Sequence, residues 1–138
     1  MASIQDYVTN GLAQGPEDQY EGTALVSRAS ERAPARIKVI GVGGGGCNCV
    51  RRMLRHGVPG VTFAMVNTDI KALGLDDPSV DIIQIGEKET HGWGADGDYK
   101  AGAAAEESTS QLRRILSNAE LVFVTAGMGG STGTGAAP

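Results

Sequence analysis

The chain has 138 residues, 41% of them hydrophobic, and 12 basic against 16 acidic side chains give a net charge of −4. That suits one domain with a modest core, and without a basic block it sets aside nucleic acid and acidic membrane surfaces as partners. With no span-length apolar run and no signal-like start, a soluble, cytoplasmic protein without direct membrane insertion is expected.

Residues 1–35 mix polar side chains with Gly11, Gly15, Pro16, Gly22 and Pro34 and carry no hydrophobic period. They read as a disordered N-terminal arm, with room for a short helix over 4–12. Regular organisation begins at Arg36. Ile37, Val39, Ile40 and Val42 form a β-branched run, predicted as a buried parallel strand over 37–42. It breaks into Gly43-Gly44-Gly45-Gly46. Helical spacing follows, with Cys47, Val50, Met53 and Leu54 on one face, Arg51, Arg52 and Arg55 off it, and Gly57 as the stop. After a turn at Val58-Pro59-Gly60, a second strand covers 61–66 and ends at Asn67-Thr68-Asp69.

Thr68 or Asp69 can cap a short helix carrying Ile70, Leu73 and Leu75, closed by Asp76-Asp77-Pro78. Residues 80–85 read as a third strand and 86–97 as a polar, glycine-rich loop. One long helix fits 98–117, with Ala101, Ala104, Ala105, Ser108, Leu112, Ile115 and Leu116 along one side. The last strand covers 121–125. Alternating strands and helices imply right-handed crossovers and an α/β fold, a Rossmann-like doubly wound parallel sheet with ligands at the carboxyl ends of its strands.

Both glycine clusters fall at those ends. Gly41-Val42-Gly43-Gly44-Gly45-Gly46 matches G-x-G-x-x-G between a strand and a helix, and Asp69 follows at about 20 residues. The stretch Gly127-Met128-Gly129-Gly130-Ser131-Thr132-Gly133-Thr134-Gly135 brings backbone amides without Cβ atoms and three hydroxyls to the end of the last strand. No lysine follows, so such a loop holds phosphate mainly through backbone. Two glycine loops at one crevice fit a mononucleotide di- or triphosphate better than a dinucleotide, which needs only the first. A loop of this kind ordinarily feeds a helix. None is foreseen before Pro138, and the chain reads as the front part of a longer protein. Cys47 and Cys49 are too close for an easy disulfide and lack zinc partners, which predicts small buried residues in a reducing compartment. His56 and His91 read as surface residues, and no metal site is predicted.

This order of motifs resembles the tubulin/FtsZ superfamily of GTPases, in its bacterial cell-division branch. The resemblance rests on Ile37 through Gly46 with Asn48, on Val66-Asn67-Thr68-Asp69, Ile85-Gly86-Glu87-Lys88 and Ala104-Ala105-Glu106-Glu107-Ser108. Val122 through Gly130 and Thr132-Gly133-Thr134-Gly135-Ala136-Ala137-Pro138 complete it. It covers 36–138, which would make that span part of a GTP-binding domain. It implies a cytoplasmic, GTP-dependent filament former of the division ring, self-associating head to tail at mid-cell, with magnesium accompanying the nucleotide and other division proteins as partners.

By position, the resemblance puts Gly44, Gly45, Gly46, Cys47 and Asn48 at the nucleotide on the first loop. Asn67 and Asp69 would border it, Ala95 and Gly97 would approach the γ-phosphate, and Gly129, Gly130, Ser131, Thr132 and Gly133 would cradle the phosphates. It places hydrolytic carboxylates on a neighbouring subunit and guanine-reading residues later in the chain. No catalytic residue is therefore expected within these 138, and the chain alone is expected to be inactive. Ser131 departs from the family's glycine, Cys47 from serine or glycine, and Cys49 from alanine. His91-Gly92-Trp93-Gly94 and Asp96-Gly97-Asp98-Tyr99 also depart, and Asp96 adds negative charge near the expected γ-phosphate. The other readings are a Rossmann-type dinucleotide oxidoreductase and a catalytically inactive scaffold.

Overall fold

The computed structural model describes residues 34–74 and 77–138, so the predicted arm and short helix before residue 34, with Leu75 and Asp76, lie outside it. Four parallel strands make one sheet: β1 (Ile37–Val42), β2 (Val61–Asn67), β3 (Val80–Gln84) and β4 (Leu121–Ala126). Their order is β3-β2-β1-β4. Register runs Ile37↔Val61 to Val42↔Val66, Ile37↔Leu121 to Val42↔Ala126, and Phe63↔Val80 to Asn67↔Gln84. The direction of winding reverses between β1 and β4, which brings the ends of both glycine-bearing strands together.

Strand alternation sends side chains to two separate cores. Ile40, Val42, Ala64, Val66 and Ile83 point one way, where Ala104, Leu112 and Ile115 cover them. Phe63, Met65 and Val80 point the other way, onto Cys47, Val50 and Leu73. The first face is served by α4 (Asp98–Glu107) and α5 (Thr109–Leu116), the second by α1 (Gly43–His56) and α2 (Ile70–Leu73). Helices on both faces of a parallel sheet make the doubly wound α/β fold. Lys38 is buried on the first face and reaches across β2 to Asp81, with Nζ 2.6 Å from Oδ2. Strand β4 is an edge, and its Phe123 and Val124, on opposite faces, are each 53% exposed.

Local signals set most boundaries. Asp69 caps α2, its Oδ1 accepting from the amides of Lys71 (2.8 Å) and Ala72 (3.4 Å). Gly57 ends α1 at φ 68° and donates to the Met53 and Leu54 carbonyls.

Four expectations are corrected. The long helix over 98–117 is two helices broken at Ser108 (φ −97°, ψ 12°). The buried Ser108 hydroxyl accepts the Gly86 amide at 3.0 Å, which fixes the break from outside the helix. The loop over 86–97 contains a one-turn helix, α3 (Glu87–Thr90). The Gly43–Gly46 run is the first turn of α1 rather than a loop before it. The helix not foreseen after the second glycine loop is present inside it: α6 (Ser131–Ala136), with the Thr134 amide on the Gly130 carbonyl at 2.9 Å. Glycine opposes helix by about 1 kcal/mol per residue. Here close packing prevails, since a Cβ on Gly102 of α4 would already be 3.3 Å from the Gly135 carbonyl oxygen.

Candidate functional site

The site is a cavity of about 240 Å³ at the carboxyl ends of β1, β2 and β4. That is below the roughly 300–1,000 Å³ of pockets that enclose a whole small ligand. It suits a chain of phosphates better than a complete nucleotide. Three segments build its walls: the start of α1, the turn after β2, and the loop running from β4 into α6.

At the first wall, Gly44 and Gly45 face the cavity. The capping residue of α1 is Val42, which offers no side-chain acceptor, and no acidic residue stands in the first turn. The first amides of this 14-residue helix therefore lack intrahelical or capping partners and carry the positive end of its dipole. A Cβ on Gly44 would meet nothing within 4 Å, whereas one on Gly45 would lie 3.1 Å from the Gly127 Cα. The two glycine loops thus touch backbone to backbone.

The second wall is Asn67, Thr68 and Asp69. Asn67 is buried and holds the Asp69 amide through Oδ1 at 3.3 Å. Thr68 has no exposure at all. Its Oγ1 accepts the Ala95 amide at 3.0 Å and lies 2.7 Å from Thr132 Oγ1, while its carbonyl accepts the Thr90 hydroxyl at 3.3 Å. An isolated antiparallel bridge joins Asp69 to Trp93, and the Ile70 amide reaches the Gly92 carbonyl at 3.2 Å. These contacts tie the segment 92–97 to the end of β2.

Gly127, Gly130, Ser131, Thr132 and Gly133 form the third wall. Gly133 is buried, and a Cβ there would collide with the Gly127 carbonyl oxygen, so the loop folds on itself only with glycine at this position. Thr134 turns its hydroxyl to the Gly129 amide at 3.0 Å. Among the described residues no lysine or arginine lines the cavity, and Asp69 is the one acidic side chain that does. Its Oδ1 already serves the α2 cap. The donors are backbone amides and neutral hydroxyls, a set that binds an anion without a counter-charge.

Of the predicted residues, Gly44, Gly45, Asn67, Asp69, Ala95, Gly130, Ser131, Thr132 and Gly133 line this cavity; Gly46, Cys47, Asn48, Gly97 and Gly129 do not. Gly46 is a packing residue, because a Cβ would lie too close to the Thr125 carbonyl of β4. Cys47 is fully buried among core side chains, with Sγ 3.7 Å from both the Gly41 and Val66 carbonyls. Burial pushes its thiol above the ordinary 9.0, partly opposed by the Arg51 charge. Cys49, expected to be buried, is exposed. Arg51, placed off the apolar face, instead bridges to α2 by donating to the Ala72 carbonyl. Gly97 stands just behind the wall, its amide on Ser131 Oγ at 3.3 Å.

Val42, Thr68, Ala72, Gly94 and Gly127 complete the lining and were not among the predicted residues. For Thr68 the signal was there, inside Asn67-Thr68-Asp69. There Thr68 reads as a rival helix cap and as part of the resemblance, with no site role of its own.

Residues 36–138 match the family described as Tubulin/FtsZ family, GTPase domain. The chain is 50% identical over 105 residues to the cell division protein FtsZ of Coxiella burnetii, covering 75% of this chain and 27% of that protein. It spans about a quarter of that relative's length. Among solved structures it is similar to an empty FtsZ dimer of M. jannaschii, with a TM-score of 0.72 and 32% identity over 86% of this chain and 35% of that one. A GTPγS-bound protofilament of CetZ2 from Haloferax volcanii gives a TM-score of 0.62 at 28% identity, covering 75% of this chain and 34% of that one.

Proposed function

The chain belongs to the tubulin/FtsZ family of GTPase domains, and on that premise we propose that its cavity binds the phosphates of GTP in a filament-forming cell-division GTPase. One observation carries the reading: two glycine loops, at the ends of β1 and β4, meet over a cavity of neutral donors. Gly44 and Gly45 offer amides from the start of α1. Gly130, Ser131, Thr132 and Gly133 offer amides and hydroxyls from the other side, and Asn67 and Asp69 border them. Gly97, Gly129 and the backbone of Gly46 and Cys47 pack against or bond to these loops, and Asn48 follows them on α1. The family match leaves the dinucleotide oxidoreductase without support.

Magnesium fits this site as a companion of the nucleotide. Among the described residues no cluster of three His, Cys, Asp or Glu side chains could hold an ion, so its ligands would be phosphate oxygens and water, with Asp69 nearest on the protein side. When bound it supplies charge neutralisation on the phosphates. Hydrolysis needs a group that positions the attacking water, and the cavity wall offers no carboxylate pair for it. We place that group on a second subunit, so that turnover accompanies assembly. The similarity to a dimer and to a protofilament supports head-to-tail self-association. A cytoplasmic location at mid-cell and contacts with other division proteins belong to the same reading.

The test is titration of the full-length protein with GTP, ATP and NAD. GTP is expected to bind and NAD to leave the protein unaffected. Binding of NAD without GTP would overturn the proposal.

A further inference from the structure

The sheet separates opposite charges onto its two faces. Helix α1 packs on the second face, and residues 43–56 contain three arginines and no acidic side chain. Arg51 is held by the Ala72 carbonyl. Arg52 and Arg55, spaced i and i+3 and so on one side of the helix, are exposed. On the first face Ala101 and Ala104 of α4 are buried, while Glu106 and Glu107 are exposed. The Lys88 amide donates to Glu107 Oε1 at 3.3 Å. That bond joins α3 to the end of α4 and adds the exposed Glu87 and Glu89 to the same corner, which sets four carboxylates against the ammonium of Lys88. The ion pairs among the described residues are Arg36–Glu120 and Lys38–Asp81. Neither arginine and none of the four glutamates takes part in them.

We propose that α1 of one copy docks on the α3–α4 corner of a second copy, with Arg52 and Arg55 against Glu87, Glu89, Glu106 and Glu107, and that this contact joins filaments side by side. The inference rests on the filament reading and assigns a second interface to it. A head-to-tail contact made over the cavity lies at the carboxyl ends of the strands. The charged surfaces lie on the two faces of the sheet, at right angles to that direction. Opposite patches on opposite faces make a heterologous contact, which repeats from copy to copy without closing. Arg113 and Arg114, exposed on α5, repel the arginines of α1 and leave the α3–α4 corner as the attractive part of the first face. Exposed ion pairs are weak singly and screened by salt, so the contact does not hold two isolated copies together. A filament repeats it once per copy, and that multivalency turns weak pairs into stable association.

The test uses the purified full-length protein assembled with GTP, followed by low-speed sedimentation, which collects joined filaments, and by electron microscopy. Joined filaments are expected at about 50 mM salt and single ones at about 500 mM, where the screening length falls to roughly 4 Å. One variant carries Arg52→Glu and Arg55→Glu. The other carries Glu89→Lys and Glu106→Lys and keeps Glu107 as the acceptor for α3. Each is expected to lower the low-salt pellet about tenfold, because every copy along the filament loses its pairs, with GTP turnover and single filaments unchanged. Mixing the two variants after assembly is expected to restore the pellet, since each keeps the natural surface that the other lacks. A pellet that ignores both sets of changes, or that is lost without recovery on mixing, overturns the pairing of these two surfaces. Natural filaments that stay single at low salt overturn the pairing alone. A natural protein that forms no filaments overturns the filament reading and the pairing with it.

Discussion

Gly44→Ala separates the cavity from the packing around it, because the two effects have opposite signs. Gly44 lies in the first turn of α1, with no positive φ, and a Cβ there meets nothing within 4 Å. Replacing a helical glycine with alanine reduces the entropy of the unfolded chain and stabilises by roughly 0.5–1 kcal/mol. Gly44 lines the cavity, so on the proposed reading the same methyl group hinders close approach of an anion to the helix amides. Losing one charge-assisted hydrogen bond costs about 1.5–3 kcal/mol, which is roughly tenfold or more in affinity. Gly41→Ala is the counter-case. Its Cβ would lie within 2.6 Å of the Gly46 carbonyl carbon and 2.9 Å of the Cys47 amide. Those are backbone atoms, so β1 and α1 must separate by several tenths of an ångström, a strain of about 1–3 kcal/mol. Urea unfolding of the full-length protein without nucleotide, and GTP titration, give both quantities. The reasoning fails if Gly44→Ala unfolds more easily than the natural protein, or binds GTP equally well.

Three further outcomes follow from contacts elsewhere in the domain. Gly45→Val is expected to abolish GTP binding with the sheet intact by circular dichroism, since its Cβ would press on Gly127 at 3.1 Å and part the two loops; normal binding would make the first loop a structural turn only. Asp81→Asn leaves the buried Lys38 ammonium without its ion-pair partner and is expected to lower stability by about 1–2 kcal/mol, less than for a fully buried pair because Asp81 is half exposed. Adding Lys38→Met should recover most of that loss in urea unfolding. Burial raises the Cys47 thiol above 9.0, so the unfolded chain ionises first as pH rises. Its stabilising contribution is complete below about pH 9 and declines above it, and Cys47→Ala should flatten that part of the pH profile in urea unfolding.

The strands were legible because short β-branched runs such as Ile37 to Val42, bounded by glycine-rich turns, suit a buried strand, and their observed ends fall within one residue of those read from sequence. Asp69 was legible as one of two caps, because a carboxylate one residue before a helix has few other local uses. The break at Ser108 was hidden. Its spacing suits a continuous helix, and the break depends on Gly86, 22 residues away. Helix α6 was hidden for the opposite reason: its residues disfavour helix locally, and contact with α4 decides the outcome. The cavity was legible through its glycines and hydroxyls. The hydrogen bonds from Ala95 to Thr68 and from Gly97 to Ser131 span 27 and 34 residues and leave no local pattern.

The first glycine cluster also shows why its pattern pointed two ways. In G-x-G-x-x-G the glycines are fixed at Gly41, Gly43 and Gly46, and here each has a packing or turning duty. Gly41 and Gly46 let α1 rest on β1 and β4, and Gly43 takes φ +70° with its Cα side against Gly133. A dinucleotide fold needs those three and tolerates side chains at the two positions between the second and third. In this chain those positions are Gly44 and Gly45, and they are the ones that line the cavity. On the proposed reading, the feature that marks this turn as a phosphate loop is therefore the pair the pattern leaves free. Gly45 approaches the second loop too closely for any side chain without displacement, while Gly44 has open space before it. Packing does not require glycine at residue 44, and the proposed phosphate site supplies a reason for it, since a residue without a Cβ lets an anion approach the start of α1.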